Sequence, residues 1–543
     1  MRTFERSLLA GAVALALSSS AGAQFSQAIF FGDSVTDSGN YKSVLPPGTG
    51  KFTTNPGPVW AEVFAQHFGL TANPSTQNGT NYAYGGARVT QLPGVVDPPL
   101  NPLDAVPIAT QVMQYLAKGP ADPNAVYSIQ GGGNDFFYQF ALLLSGHATP
   151  DQVQAALVQA GVDLGKQAAI LKAAGARYIM VWSAPDMGTL LSGAATGQGP
   201  TLTALSNLFT TTVMATVNAA GVQAIRLNGA ALQNEVLRNP GAYGITNVTG
   251  VACVLPPNIT IAECTSSTLV SPDAANTYFF ANGSHPTTAF HKIIGDFAAS
   301  YIDGPMQIAA LGDAPFRVED ATFRTLDNRM WSNLNAPRAQ KKLEAWAAYD
   351  YGSIDMNAGP NNGTGHENTV AVGGDMKLND NLLAGLMFNY TQQKGDLGGY
   401  WFKYQDILHG PYVQATYSKA IVRQFSETGS DSTALIYGQQ SNEQLLWSAG
   451  WQVAGSFGNI RPWARATWEY ESLDKNRDIT ASSVTLGGSY SLPAPKPDNN
   501  YALFNLGAAS DFGGVTGFIS GSATAGRGDG NYWAVTVGLR MPI

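Results

Sequence analysis

Charge is scarce in this chain. Charged residues make up 13% of 543 positions, about half the usual share. The formal net charge of −8 argues against a nucleic-acid partner. There are two cysteines, Cys253 and Cys264, too few for a disulfide-framework protein. They form no Cys-x-x-Cys pattern and have no histidine close by in sequence, which argues against a redox pair or a zinc site. Six histidines in all leave few candidates for a general base. Past the N-terminus no stretch reaches the ~20 apolar residues of a spanning helix, and no solenoid-type repeat is evident.

The N-terminus itself carries a secretory pattern. Arg2 and Arg6 precede an apolar core, Leu8 to Leu17, too short to span a bilayer. Ala21-Gly22-Ala23 fits the small-x-small cleavage rule, so residues 1–23 are expected to be removed after Ala23. Export to an oxidising compartment predicts a Cys253–Cys264 disulfide. Closing so short a loop contributes about 2–3 kcal/mol when unstrained.

Two grammars follow. From residue 24 to about 300, helix-like and strand-like stretches alternate. Pro150 to Ala174 places Val153, Leu157, Ala160, Leu164, Ala168 and Leu171 at helical spacing, and Gly175 offers a stop. Arg177 to Trp182 and Ala224 to Leu227 read as buried strands, with Thr201 to Ala220 helical between them. Such alternation predicts a mostly parallel sheet covered on both faces. Reactive groups then gather beyond the strand C-termini. After about residue 335 the period becomes two. In the last strand Trp533, Val535, Val537, Leu539 and Met541 face one way, and Tyr532, Ala534, Thr536, Gly538 and Arg540 the other. Ala464 to Glu471 alternates likewise. The same period fits a soluble sandwich with one buried face. Export and the aromatic-rich apolar stripes favour a membrane barrel with about twelve strands. The expected division is 24–304 for the α/β domain, 305–335 for a linker and 336–543 for the barrel. The linker is either a surface connection or a segment, helical in part, that threads the lumen.

Four short motifs lie in order through the first half: Gly32-Asp33-Ser34, Asn81 to Ala87, Gly132-Gly133-Asn134-Asp135 and Asn282-Gly283-Ser284-His285-Pro286. Each alone is a common turn sequence. Together they supply what ester hydrolysis needs. Ser34 follows the apolar strand Ala28-Ile29-Phe30-Phe31 and attacks the acyl carbon, while His285 takes and returns the proton. The Ser34 N–H, the Gly85 N–H and the Asn134 side-chain amide are the expected oxyanion donors, each worth roughly 3–4 kcal/mol in the transition state.

These four motifs resemble the signature blocks of the GDSL-type esterases of the SGNH hydrolase family, with Ser34, Gly85, Asn134 and His285 at the named positions. The alternating C-terminal half is similar to autotransporter translocator domains. The resemblance implies a flavodoxin-like three-layer α/β/α hydrolase, then a twelve-stranded outer-membrane barrel with a lumenal helix. It also implies carboxylic ester hydrolysis without metal or cofactor. Three departures stand out. The first block reads Gly-Asp-Ser-Val rather than Gly-Asp-Ser-Leu. Asn282 stands where the family has aspartate; an amide carbonyl still orients the imidazole, as in Cys-His-Asn enzymes, but brings no charge. Asp273 is the nearby carboxylate that would substitute. The chain ends Met541-Pro542-Ile543 rather than in an aromatic, so the expectation is either less efficient assembly or recognition through Trp533.

The leading reading is a surface-displayed serine esterase or lipase, monomeric, with an ester or lipid substrate and outer-membrane lipid around its barrel. A carbohydrate acetylesterase uses the same apparatus. From another class, a surface adhesin with a weakened hydrolase fold is favoured by Asn282 alone. Phe136, Phe137 and Tyr138 are candidates either for an acyl site or for core.

Overall fold

The protein is described from a computed structural model covering residues 25–309, 314–333, 342–356, 363–379, 382–388, 402–404, 407–428, 432–473, 476–528 and 530–542. The expected leader, residues 1–23, lies outside the described residues.

The N-terminal half runs β1 (Ala28–Phe31), α1 (Trp60–His67), α2 (Ile108–Leu116), β2 (Val126–Ile129), α3 (Gly133–Leu144) and α4 (Pro150–Ala173). It continues with β3 (Tyr178–Trp182), α5 (Gly199–Ala219), β4 (Ile225–Leu227), α6 (Gly229–Arg238), β5 (Asn247–Val251), β6 (Tyr278–Phe280) and α7 (Thr288–Ala309). Strands β1 to β4 form one parallel sheet in that order. Asn81 bridges Phe30 in parallel on the other side of β1. Neighbouring residues of a strand point to opposite faces. Phe30 packs edge-on to Trp60 and Phe64 of α1, while Phe31 meets Tyr115 of α2. Helices α1 and α2 therefore cover opposite faces. Helix α7 packs with α1, and α5 with α4, which gives the layered α/β arrangement. Helix α4 starts where Thr149 makes a capping box with Gln152 and Pro150 opens the first turn, and stops before Gly175 at φ +112°.

Helix α7 crosses the expected boundary at 304 without interruption. A second long helix, α8 (Ala314–Asn333), follows, with Pro315 in its first turn, where a missing N–H costs nothing.

The C-terminal half contains β7 (Leu343–Met356), β8 (Gly363–Asn379), β9 (Leu382–Phe388), β10 (Phe402–Tyr404), β11 (Ile407–Val422), β12 (Phe425–Ser426) and β13 (Leu435–Tyr437). After these come β14 (Gln440–Ala454), β15 (Ile460–Glu471), β16 (Asp478–Ser483), β17 (Ser489–Pro493), β18 (Asn500–Phe512), β19 (Val515–Ala525) and β20 (Tyr532–Pro542). Among the described residues ten of these make one antiparallel sheet, ordered β10-β11-β14-β15-β18-β19-β20-β7-β8-β9. The last strand pairs with the first, Tyr532 opposite Ile354 through Pro542 opposite Glu344. That pairing is what closing a meander on itself requires.

The alternation has the polarity of a membrane barrel, not of a sandwich. Trp533 (49% exposed), Leu539 (61%) and Trp468 (56%) point outward, while Arg465, Glu469, Thr536 and Arg540 are buried inside. An exposed band of Trp, Leu and Val is costly in water and favourable in lipid. Helix α8 packs against strands of this sheet on their polar side. There Arg324 pairs with Asp350 at 2.8 Å, Arg329 with Asp375 at 2.7 Å and Glu344 at 3.2 Å, and Arg465 with Asp327.

Four short strands stand apart. β12, β13, β16 and β17, from the β11–β14 and β15–β18 connections, form their own sheet. Leu435, Tyr437, Ala481, Tyr490 and Leu492 from this sheet are buried in the same core as Trp182, Phe297 and Tyr301. The Tyr490 hydroxyl donates to the Tyr301 carbonyl at 2.7 Å, and the Tyr301 hydroxyl to Ser432 O at 2.8 Å. Strand connections of one half thus complete the core of the other.

Candidate active site

Ser34 sits on the turn after β1, and His285 on the turn between β6 and α7, 251 residues away in sequence. Strand geometry brings them together: the Ser34 hydroxyl lies 2.8 Å from His285 Nε2. On the ring's other side Nδ1 lies 3.0 Å from Asn282 Oδ1. That oxygen also accepts the backbone N–H groups of Ser284 at 3.0 Å and His285 at 2.8 Å. Two N–H donors identify the atom as the carbonyl oxygen, so Nδ1 carries the proton and Nε2 is the free base facing Ser34. Desolvation pushes the imidazole down to about 4, so it is neutral at neutral pH. Phe52 lies against the ring at 5.7 Å.

Asp273 does not take the aspartate's place. It is exposed and accepts the Ser271 hydroxyl at 2.8 Å. Asn282 is the residue on the imidazole.

The glycine expected in the oxyanion site needs correction. The Gly85 N–H donates to Asp37 Oδ2 at 2.9 Å, so it is engaged inside the protein. Glycine is needed there because a Cβ would lie 1.9 Å from Phe52 Cζ, not because substrate approaches. The next residue, Gly86, has φ +74° and no acceptor for its N–H among the described residues. The Ser34 N–H likewise has no acceptor there. Asn134, in the first turn of α3, spends one amide hydrogen on Ala87 O at 2.9 Å and keeps the other. This bond ties Asn134 to the residue after Gly86. Gly132, at φ +104°, allows the turn that starts α3, where a Cβ would lie 2.4 Å from Phe209.

Several supporting groups were not evident from the sequence. Asp37 Oδ1 accepts the N–H groups of Gly39 at 2.8 Å and Asn40 at 2.7 Å. The Asp37-Ser38-Gly39-Asn40 run is an Asx-turn pattern, which is the signal that was available. Asp33 accepts Val35 N–H and Gln130 Nε2, both at 3.1 Å. Burial pushes both carboxyls up to about 6. Asp135 pairs with Arg88 at 3.2 Å, and Arg88 lies over the Tyr138 ring at 4.0 Å. Phe136 is core, edge-on to Phe209.

Cys253 and Cys264 are bonded to each other. They belong to a small core with Tyr41, Phe52 and Ile261. The loop they close holds the Phe52 segment through Gly50 N–H to Ala262 O at 2.9 Å and Asn55 N–H to Cys264 O at 3.0 Å. The other histidines lie elsewhere. His67 bonds Asp303 at 2.7 Å, His147 bonds Ser145 at 2.9 Å, and His291 accepts the Trp60 N–H at 3.2 Å. The side chains of His366 and His409 lie outside the described residues.

A serine and a neutral histidine in contact beyond the edge of a parallel sheet, followed by a β-domain with an apolar exterior, define a serine-type hydrolase carried by a membrane β-domain. Residues 29–298 match the family described as GDSL-like Lipase/Acylhydrolase, and residues 397–522 the Autotransporter beta-domain. The chain belongs to the GDSL-like lipases and acylhydrolases, in the form that carries its own autotransporter β-domain. It is 30% identical to an uncharacterized protein from the trpE-trpG intergenic region of Pseudomonas putida, over 69% of this chain and 65% of that one. It is 23% identical to Lipase 1 of Photorhabdus luminescens, over 92% of this chain and 93% of that one. With Esterase EstA of Pseudomonas aeruginosa the identity is 24%, over 89% and 90%. The β-domain sits in the bacterial outer membrane and displays the N-terminal domain on the extracellular side.

Proposed function

We propose that this protein is a serine esterase or lipase, anchored in the outer membrane by its own barrel and acting on carboxylic esters outside the cell. The observation that carries this reading is the Ser34–His285 contact at 2.8 Å with Asn282 3.0 Å behind the ring. In the reaction, Ser34 Oγ attacks the ester carbon and its proton passes to His285 Nε2. The oxyanion is held by the Ser34 N–H, the Gly86 N–H and the second Asn134 amide hydrogen. His285 then protonates the departing alcohol and the acyl group stays on Ser34. Water enters by the same proton route and releases the acid. Asn282 fixes the tautomer without adding charge, so the pair works as a dyad with amide support.

The domain limits that accompany this reading are 24–309 for the catalytic domain, so that it keeps the whole of α7, and 336–543 for the barrel. Pairing of β20 with β7 and the ion pairs of α8 with Asp350, Glu344 and Asp375 support a closed barrel of about twelve strands with α8 in its lumen.

Ser34→Ala tests the function. Ester hydrolysis by intact cells should fall by at least about 10³-fold, and labelling by a fluorophosphonate should disappear. Undiminished turnover would remove Ser34 from the chemistry. Activity seen only in lysed cells would contradict the outward orientation.

A further inference from the structure

We infer that the buried Arg88–Asp135 ion pair is a positioning device for the oxyanion site, holding the turn that presents the Gly86 N–H in register with the Asn134 amide. This inference rests on the esterase reading above and adds two residues to it. The two donors come from separate parts of the chain. Residues 86–89 lie in neither a strand nor a helix, so no regular ladder of hydrogen bonds fixes them. The carbonyls of Arg88 and Val89 accept the Ile108 and Ala109 N–H groups at 3.1 and 2.9 Å, which ties the segment to the start of α2. Asn134 and Asp135 stand instead in the first turn of α3. Three side-chain bonds stitch the segment to that turn. Asn134 Nδ2 donates to Ala87 O at 2.9 Å. The Val89 N–H donates to Asp135 Oδ2 at 3.0 Å, and Arg88 Nε to Asp135 Oδ1 at 3.2 Å. Each of the three residues after Gly86 is thus bonded to Asn134 or to its neighbour.

Charge makes the stitch stiff. The side chains of Arg88 and Asp135 are only 7% and 5% exposed, so solvent ions screen the pair weakly. Asp135 lies at the N-terminal end of its helix, the end that favours a carboxylate. The guanidinium is held from a second side by the Tyr138 ring, 4.0 Å from Cζ to the centroid and one turn further along α3. Without Arg88 the carboxylate would be buried with no cation beside it, and the turn would keep two of its three bonds to α3. Misplacing a catalytic group by about 1 Å is enough to slow a reaction ~10²-fold.

The experiment uses full-length protein and a p-nitrophenyl ester. Arg88→Met removes the charge at similar length; Arg88→Lys keeps the charge without the Nε geometry. In Arg88→Met kcat should fall by about 10- to 100-fold while KM stays within about twofold. Arg88→Lys should recover part of the loss. A trifluoromethyl ketone forms a tetrahedral adduct with the serine that carries the oxyanion, so its affinity should fall by the same factor as kcat/KM. In an Asn134→Ala background one donor is already gone, and Arg88→Met should then cost several-fold less than it does in the parent. If the parent turns over no ester, the esterase reading itself fails. If the parent is active and folded Arg88→Met keeps both kcat and ketone affinity, the pair does not position the site. An equal cost with and without Asn134 would overturn the inference as well. Should Arg88→Met not fold, Arg88→Lys is read by the same measures, and parental values in it would overturn the inference.

Discussion

Asp37 Oδ2 accepts the Gly85 N–H at 2.9 Å, and through it holds the turn that presents Gly86. Its other oxygen accepts Gly39 and Asn40 N–H groups. One buried carboxylate thus fixes the turn after Ser34 to the glycine pair. Asparagine has a single acceptor oxygen, so Asp37→Asn would set its NH2 against the Gly85 N–H or free the other two donors. The expected cost is about 1–3 kcal/mol in stability, with kcat falling more than KM changes. Denaturant unfolding and ester kinetics check both.

The same substitution has a pH signature. Burial raises Asp37 from 3.8 to about 6, so ionising it costs the folded state. Its contribution to stability is full below about 3.8 and is lost as pH rises through about 6. The stability of Asp37→Asn should therefore lack this group's share of the decline between those pH values. Thermal melts of parent and variant in closely spaced buffers provide the test, and parallel curves would count against the assignment.

Asn282 invites a gain of function. With a neutral carbonyl on Nδ1, nothing offsets the desolvation that holds His285 near 4. The acid limb of kcat/KM should follow that value when Asp37 and Asp33 are accounted for. Asn282→Asp places a carboxylate on the ring, which favours imidazolium and moves the limb to higher pH. It also stabilises the imidazolium formed during attack, so turnover at pH 7 should rise by roughly tenfold or more. No shift and no gain would mean that the amide is not a handicap in this site.

The sequence made some of this visible and hid the rest for physical reasons. Ser34 was legible because it follows the short apolar strand Ala28–Phe31 and opens the first of four ordered motifs, and His285 because the chain has only six histidines and it lies in the last of those motifs. The helix from Pro150 was legible because its period runs for six turns and Thr149 caps it. Gly85 and Gly86 were not separable: composition cannot tell which of two adjacent amides a distant carboxylate will occupy. Helix α7 crosses the expected boundary because Pro305 sits late in it, where the reading of the pattern stopped. The sheet β12-β13-β16-β17 was invisible because strands of two to six residues carry too little period.

The Cys253–Cys264 bond supports the loop that carries Phe52 onto His285. Replacing both cysteines by serine should cost about 2–3 kcal/mol, lowering Tm of the catalytic domain by roughly 5–10 °C. Because the Phe52 segment hangs on Ala262 and Cys264 carbonyls, kcat should fall well below Tm. Calorimetry with activity at 25 °C distinguishes this from a purely global effect, in which the two would be lost together.

Tyr490 tests whether the two halves share a core. Its ring is 2% exposed, its hydroxyl donates to Tyr301 O, and it stands beside Tyr437 and Leu492 against α7. Helix α7 also carries Phe290 and Ile294, which line a cavity together with Ser284 and Pro286, the neighbours of His285. Tyr490→Ala removes an aromatic from the outer sheet and leaves Tyr301 facing a void. By the usual cost of such cavities the loss is about 3–5 kcal/mol, although residue 490 lies in the second half of the chain. The catalytic domain of the variant should become protease-sensitive on intact cells, while the barrel remains assembled and heat-modifiable on gels. A catalytic domain as resistant as the parent's would mean that the outer sheet only rests against it.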